Sequence, residues 1–293
     1  MAIIRPERIS TGHGVLEGPW WEPGLGLLVA DATLGGVLLL RPDGVQVTVI
    51  AHRRGIGGLA LHEDGGILVG GRNLAIKRLM GEGDDASVVL LQNDPENHLK
   101  GFNDFTVDTA GRVYIGSLAF IATEARSGRT GQLYLVDLDG RARIVADDIQ
   151  LSNGLGFSPD GRTLYHADSL RKVVYAYEVG ATGDLGPRRI FMSSTEAMPD
   201  GLAVDAGGTV WIAMPYSGQV VGYTPEGAPC GAIEIDEPMV TSLCFGGSDL
   251  KDLYIVSGSE GLKTDRGGSI YRGRAAVPGL PRHRAKIAYR RSS

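Results

Sequence analysis

The chain is poor in cysteine and in long apolar runs. Only Cys230 and Cys244 occur among its 293 residues, which gives no support for a disulfide framework or a cysteine-based metal cluster. No stretch reaches the roughly 18 apolar residues that a membrane-spanning helix needs. The first residues, MAIIRPERISTGHG, lack a cationic stretch followed by a long apolar core, which argues against a secretory signal. These absences predict a cytoplasmic protein that has no membrane partner.

Excess positive charge is also missing. The formal net charge is -5, and the most cationic stretch, PRHRAKIAYRR near the C-terminus, is short and alternates with apolar residues. This alternation favours a final β-strand with exposed arginines over an arm that binds nucleic acid. We therefore expect no nucleic-acid partner.

Familiar cofactor and catalytic motifs are absent as well. GIGGLA resembles a dinucleotide-binding glycine pattern, but a strand and a turn follow it where that pattern requires a helix. The glycine of DLDG comes too early for a calcium-binding loop. No G-x-S-x-G or H-E-x-x-H sequence occurs, and no two of the 6 histidines lie four residues apart. A serine-hydrolase elbow and a histidine-built zinc site are therefore unsupported.

What the chain does contain is an internal repeat. Six similar units follow one another at intervals of about 40 to 50 residues, a period typical of solenoids and propellers. The units begin at Glu17, Gly57, Asn103, Asn153, Asp200 and Thr241. In the fifth unit a short strand, GLAVD, is followed by a turn and by three further apolar runs, TVWIAM, QVVGY and CGAIEI. No stretch shows the 3.6-residue spacing of a long amphipathic helix.

Four antiparallel strands repeated six times predict an all-β fold, a six-bladed β-propeller that forms a single domain over residues 1–293. The ring must also close, because an open sheet edge invites association. Either AIIRPERI at the start or HRAKIAYR at the end can supply a strand beside the other terminus. Residues 119–131 form an insertion after the second strand of the third unit, as a lid over the channel mouth or as a plain hairpin loop.

Equivalent positions in successive blades face one axis, so the residues that open the units should meet there. Asn103, Asn153 and Asp200 also suit turns, but Glu17 is not a favoured turn residue. Two ionised carboxylates held close together repel, and a divalent cation would cancel their charge. Oxygen donors alone favour hard cations such as Ca²⁺, Mg²⁺ or Mn²⁺. The pattern thus predicts a metal site on the axis of the propeller.

The blocks EGPWW, FNDFTVD, LSNGLGFSPDGRTLYHAD and PDGLAVDAGGTVWIA closely resemble the family of gluconolactonase, regucalcin and luciferin-regenerating enzyme, over nearly the whole chain. The resemblance implies one divalent cation held by Glu17, Asn153 and Asp200. Ca²⁺ is the expected ion, and Zn²⁺, Mn²⁺, Mg²⁺ and Fe²⁺ are the alternatives. The implied activity is hydrolysis of a lactone, with Asp200 as the general base.

The resemblance implies that Asn103 lies beside the metal and contacts the substrate or a bound water. We also expect Lys100, Phe120 and Tyr216 to line the pocket and bind the substrate. Sugar-lactone members of the family often carry arginine where this chain has Gly101, and no acidic residue follows YIGS. Fewer polar partners predict a lactone with fewer hydroxyl groups. We expect a monomer or homodimer that binds only a small molecule.

Three other functions remain open. Related propellers hydrolyse aryl esters or phosphotriesters at a similar metal site. A propeller can also serve as a module that binds proteins, because fold alone does not establish catalysis. The third alternative is a metal-binding regulator without turnover.

Overall fold

A computed structural model describes residues 5–51, 53–78, 87–94, 96, 98–120 and 128–290. In these ranges the secondary structure is almost wholly β, and no helix is long and apolar enough to cross a membrane. The strands, in chain order, are β1 Glu7–His13, β2 Leu16–Glu22, β3 Gly26–Asp31, β4 Gly36–Leu40, β5 Gln46–Ala51, β6 Leu59–Leu61, β7 Gly66–Val69, β8 Leu74–Arg78, β9 Val88–Leu91, β10 Gly101–Val107, β11 Val113–Leu118, β12 Gly131–Val136, β13 Ala142–Ile149, β14 Ser152–Phe157, β15 Thr163–Asp168, β16 Val173–Glu178, β17 Arg189–Ser193, β18 Leu202–Val204, β19 Val210–Met214, β20 Gln219–Tyr223, β21 Pro229–Glu234, β22 Val240–Gly246, β23 Asp252–Ser257 and β24 Gly268–Arg274.

The strands form six four-stranded antiparallel sheets, and these are the blades of a six-bladed propeller. Blades one to five are β2–β5, β6–β9, β10–β13, β14–β17 and β18–β21, each in simple sequential order. Blade six has the order β1-β24-β23-β22, so one of its strands comes from the N-terminus. The fold class predicted from the repeats is therefore confirmed.

Burial differs between the inner and outer strands of a blade. All six residues of β3 are buried, because this strand has a neighbour on each side and a blade against each face. The outer strand β5 instead alternates between exposed and partly buried positions. This gradient explains why the second apolar run of each unit is nearly continuous and the fourth is mixed.

The repeated turn between the first two strands depends on an aspartate and a glycine. In blade three, Asp108 Oδ1 accepts hydrogen bonds from the backbone N–H groups of Ala110, Gly111 and Arg112 at 2.9, 3.0 and 2.9 Å. Gly111 has a φ of +98°, which a residue with a side chain rarely adopts. The D-x-x-G pattern thus forms the first hairpin of blade three, and Asp205 repeats it in blade five, where its Oδ1 accepts hydrogen bonds from the backbone N–H groups of Gly207 and Thr209.

The N-terminal strand closes the ring. β1 pairs with β24, and Arg8 lies opposite Tyr271 in the ladder. Of the two closing strands that the sequence allowed, the structure uses the N-terminal one. Sheet pairing across the two ends of the chain covers the edge that blade six would otherwise expose.

The C-terminal stretch is a correction to the sequence analysis, because it does not form a strand of any sheet. Residues 278–290, here called the closing segment, cross the end of the propeller opposite the starts of the inner strands. Ala285 N–H donates to Leu61 O at 2.8 Å in blade two, and Ala288 N–H donates to Leu138 O at 2.7 Å in blade three. Ile287, only 1% exposed, packs into the apolar core of those blades. The alternation of apolar and charged residues predicted a β-strand with a continuous ladder of hydrogen bonds. The closing segment instead makes single backbone hydrogen bonds to successive blades.

Two arginines of the closing segment make specific contacts. Arg284 donates to the Glu22 carboxylate and to His62 O. The guanidinium of Arg282 lies 5.1 Å from the centre of the Trp20 ring, at the far end of the central channel. The segment therefore brings a cation into the channel from the side opposite to the predicted metal site.

His166 in β15 supplies a test of the folded state that is independent of function. Its Nε2 lies 2.7 Å from Ser152 Oγ, and burial lowers the pKa of the imidazole from 6.5 to about 3. The unfolded chain therefore binds a proton near pH 6.5 that the folded chain excludes until about pH 3. Stability from the neutral imidazole is complete above pH 6.5 and is lost as the pH falls toward 3.

We predict that His166→Gln flattens the dependence of unfolding free energy on pH between 4 and 6. The slope should fall by about 1.4 kcal/mol per pH unit, the value for one proton. Urea unfolding at several pH values measures it, and His283→Gln, at an exposed position of the closing segment, is the control. An unchanged slope in His166→Gln would show that the folded chain protonates this imidazole normally.

Candidate metal and substrate site

Four polar side chains lie at the starts of inner strands. Glu17 is in β2, Asn103 in β10 and Asn153 in β14, and Asp200 lies two residues before the start of β18. We call these four residues the polar ring. The Asn103 side-chain amide donates to Asn153 Oδ1 and, at 2.8 Å, to Ser152 O, which joins blades three and four. Burial and then the charge of Asp200 raise the pKa of Glu17, so these two carboxylates lie close together although 183 residues separate them in the chain.

Glycines let the inner strands approach each other. A Cβ atom on Gly154 would lie 2.5 Å from Asp200 O and 2.6 Å from Leu202 N, and one on Gly201 would lie 2.1 Å from Ser242 Oγ. Real Cβ contacts are not that short, so only glycine fits directly after Asn153 and Asp200. The N-G and D-G pairs of the sequence therefore set the spacing between blades as well as the turn conformation.

In the second unit, glycine (Gly57) stands at the position where the other units have a polar residue. A Cβ atom on Gly57 would lie 2.0 Å from Asn103 Oδ1. The absence of a side chain at this position keeps the Asn103 carbonyl oxygen accessible beside Glu17.

The ring concentrates negative charge. Burial, then Asp200 and Asp104, raise the pKa of Glu17 well above its ordinary value, although Glu17 keeps some solvent access toward the channel mouth. Burial and Asp104 likewise raise the pKa of Asp200, against a hydrogen bond from the Gly201 backbone. Burial raises the pKa of Asp104 itself to about 7, and Arg282 opposes that rise. The chain alone thus disfavours the charged form of these carboxylates.

Asp200 carries the clearest sign of a missing partner. The side chain is 6% exposed, and its Oδ1 atom is buried without a hydrogen-bond partner among the described residues. An unpartnered buried oxygen is costly, and a cation would satisfy it and neutralise the carboxylates at once. The donors present therefore fit a hard divalent cation.

Asn153 is held by residues that the sequence analysis did not single out. Its Nδ2 donates to Ser169 Oγ at 2.7 Å, and Ser169 donates in turn to Pro199 O at 2.5 Å. Together with the bond from Asn103, this fixes the amide so that Oδ1 faces the ring. The serine lies within the HADS sequence at the end of β15, but only the fold shows its contact.

The ring is not a conventional cluster of acids. Nowhere in the described ranges do three or more His, Cys, Asp or Glu side chains gather as metal ligands. The predicted set consists of two carboxylates and one amide oxygen, and Asp104 adds charge beside them.

A cavity of about 640 Å³ opens beside the ring. Three predicted substrate-binding residues, Asn103, Lys100 and Phe120, line it together with Glu17. Tyr216 is not among the described residues that line it: the side chain is 55% exposed and its hydroxyl donates to Glu260 at 2.6 Å, although Asp200 of the ring is near enough to add to the effect of that bond and raise the pKa of Tyr216. Three polar lining residues, Arg54, Arg72 and Asn93, were missed by the sequence analysis.

The insertion predicted at residues 119–131 is only partly described. Residues 121–127 lie outside the described residues, so the structure does not address whether the insertion is a lid.

The protein belongs to the class of propellers that carry a polar site on the axis. Two carboxylates and two amides meet at one mouth of its channel, and a cavity opens beside them. The sequence model described as "SMP-30/Gluconolactonase/LRE-like region" matches residues 15–259. The chain belongs to this family.

Relatives extend over nearly the whole chain. A 6-deoxy-6-sulfogluconolactonase from Pseudomonas putida is 32% identical over 259 residues, which are 85% of this chain and 87% of that protein. Pentonolactonase XacC from Haloferax volcanii is 29% identical over 293 residues, which are 95% and 97% of the two chains.

Solved structures share the fold. A luciferin-regenerating enzyme superposes with a TM-score of 0.87 at 22% identity, covering 97% of this chain and all of the other. A calcium-binding regucalcin from Agrobacterium tumefaciens gives 0.78 at 22%, with 98% of each chain covered.

We predict that Gly154→Ala damages both the fold and the ring. A methyl group at this position must displace the backbone around Asp200, and overpacking of this kind costs about 1–3 kcal/mol. Urea unfolding should show that loss of free energy of unfolding, and titration calorimetry should show weaker binding of Ca²⁺.

The matched control is Gly186→Ala, where the added Cβ would meet Glu178 at an ordinary 3.5 Å. It should leave both measurements nearly unchanged. Wild-type stability and Ca²⁺ affinity in Gly154→Ala would contradict the role given to the glycine.

Proposed function

We propose that this protein is a lactone hydrolase that depends on one divalent cation and acts on a sugar lactone. The observation that carries the proposal is the unpartnered Asp200 Oδ1, buried beside Glu17, which itself lines an open cavity. Two carboxylates in such a place serve no evident packing purpose. They suit a centre that binds a cation and a polar substrate.

The relatives favour a sugar lactone. By their names, the Pseudomonas protein acts on a sulfonated gluconolactone and the Haloferax protein on pentonolactones. The prediction of fewer hydroxyl groups rested on Gly101 and on the missing acidic residue after YIGS, and the cavity supplies polar partners from other loops. A sugar lactone with polar substituents fits this wall.

Glu17, Asn153 and Asp200 would hold the cation, with Asn103 beside it. The ligand atoms are all oxygens, which favours Ca²⁺, and the similarity to a calcium-binding regucalcin agrees with that choice. Zn²⁺, Mn²⁺, Mg²⁺ and Fe²⁺ remain the alternatives. When bound, such an ion polarises a carbonyl oxygen and lowers the pKa of water.

Asp200 would be the general base. Its place in the ring supports this role: the carboxylate is buried, and its Oδ1 has no hydrogen-bond partner among the described residues, so it can accept a proton from a water held there. A water loses a proton to Asp200 as its oxygen bonds to the lactone carbonyl carbon. The bond from that carbon to the ring oxygen then breaks, and the proton passes to the departing alkoxide to give the hydroxy acid.

Asn103 and the cavity wall would position the lactone. The Asn103 amide is fixed by its bonds to blade four, and its carbonyl oxygen stays accessible beside Gly57. Phe120 and Lys100 line the cavity beside the ring. Holding the carbonyl carbon near the base supplies a large part of the rate acceleration, since orientation removes a large entropic cost.

We predict that Asp200→Asn lowers kcat/KM for lactone hydrolysis by about 10³-fold or more, because a general base and a cation ligand are lost together. A pH-indicator assay with D-glucono-lactone and added Ca²⁺ measures the rate, and calorimetry should show weaker Ca²⁺ binding. Asp139→Asn removes an exposed acid in a hairpin turn and is the control. Near-normal turnover in Asp200→Asn would refute the role of the base.

The same assay separates the competing activities. Aryl esters and phosphotriesters should be hydrolysed far more slowly than lactones under identical conditions. Faster hydrolysis of either class would favour the esterase or phosphotriesterase alternative, and Ca²⁺ binding without turnover of any substrate would favour a regulator.

A further inference from the structure

The wall of the cavity is cationic. Arg54, Arg72 and Lys100 line it, and we call these three residues the cationic wall. Among the described residues that line the cavity, Glu17 of the polar ring is the only acidic one. Phe102, Leu118 and Phe120 are apolar and lower the local dielectric, so charges there interact more strongly than in water.

The three cations come from three different segments. Arg54 lies in the connection from β5 to β6, Arg72 in the hairpin from β7 to β8, and Lys100 just before β10. Their convergence therefore requires the fold and is not a local charge run. All three segments lie at the end of the propeller where the polar ring stands, since they line the same cavity as Glu17 and Asn103.

The backbone that carries the wall is firmly held. Gly71 and Phe102 exchange both backbone hydrogen bonds, at 2.9 and 2.7 Å, which ties blade two to blade three. A Cβ atom on Gly101 would lie 2.9 Å from Gly71 O, so this position has no room for a long side chain. Where other family members carry arginine, this chain needs glycine, and positive charge reaches the cavity from Arg54 and Arg72 instead.

Arg53, the neighbour of Arg54 in this loop, has a structural role. Its guanidinium donates to Gly70 O at 3.3 Å and to Asn73 O at 3.1 Å, so it fastens the β7–β8 hairpin. Arg54 and Arg72, in contrast, form no side-chain hydrogen bond or ion pair with the described part of the chain. No described residue therefore competes with a ligand in the cavity for their guanidinium groups.

We propose that the cavity selects a lactone that carries an anionic group away from the ring carbonyl, and that Arg54 and Arg72 bind that group. The inference rests on the proposed function, because it specifies the substrate of the same site. Guanidinium groups bind carboxylate, sulfonate or phosphate oxygens through paired N–H donors. The lactone carbonyl lies at the polar ring, and the anionic substituent reaches the cationic wall.

The test compares two substrates in several variants. D-Glucono-lactone is the neutral probe, and the matching lactones with a terminal carboxylate or a terminal sulfonate are the anionic probes. The measured quantity is the ratio of kcat/KM for anionic over neutral substrate. In the wild type the ratio should exceed one, and in Arg54→Gln, Arg72→Gln and the double variant it should fall about 10- to 100-fold, mainly through KM.

Arg41→Gln is the matched control, because it removes the same charge from an exposed position in the β4–β5 hairpin, outside this cavity. Its ratio should equal that of the wild type. Higher ionic strength should lower the wild-type ratio, since screening weakens contact between charges that water reaches.

An equal loss on both substrates would overturn the inference and assign the arginines a structural role. So would a wild type that prefers the neutral lactone. If no lactone is hydrolysed, the proposed function fails, and calorimetry with the ring-opened acids still tests the wall. Equal affinity of the wild type and the double variant for D-glucarate would then overturn it.

Discussion

The arrangement depends on holding like charges together at one end of a channel. Glu17, Asp104 and Asp200 are brought into mutual electrostatic contact by three different blades, and burial raises the pKa of each. A protein has no reason to maintain such repulsion unless something positive compensates it. The open face offers a place for a divalent cation, and from the far end of the channel Arg282 opposes the rise in the pKa of Asp104. The rest of the structure can be understood as the frame that keeps these groups in place.

That frame is stiff because several independent contacts hold the inner strands in place. Each inner strand is held by its own blade, adjacent blades touch through glycines such as Gly154, and β1 closes the ring. The closing segment adds backbone bonds to successive blades at the opposite end. A site assembled from strand starts on such a ring keeps its geometry before any ligand arrives, which is the arrangement that catalysis favours.

The fold and the polar ring were predictable because both follow from repetition. The D-x-x-G turns and apolar runs define the blades, and equivalent positions in a propeller must face one axis, so Asn103 and Asn153 could be matched without a structure. Arg54 could not, because the connections between blades differ in length from one unit to the next. Arg72 lies in a loop of the same length as the matching loops of blades one, four and five, but an alignment of those loops does not show which of their side chains line the cavity. The closing segment was misjudged for a related reason: apolar alternation predicts a strand whether or not a partner strand is free to pair.

The central claim is that the ring binds a single divalent cation, and crystallography with Mn²⁺ tests it most directly. Anomalous scattering from crystals grown with that ion locates it without assumptions about the ligands. The account predicts one strong peak about 2.0–2.6 Å from oxygen atoms of Glu17, Asn153 and Asp200, at distances usual for such ions. A ring without a peak at saturating Mn²⁺, or a dominant peak elsewhere in the molecule, would contradict it.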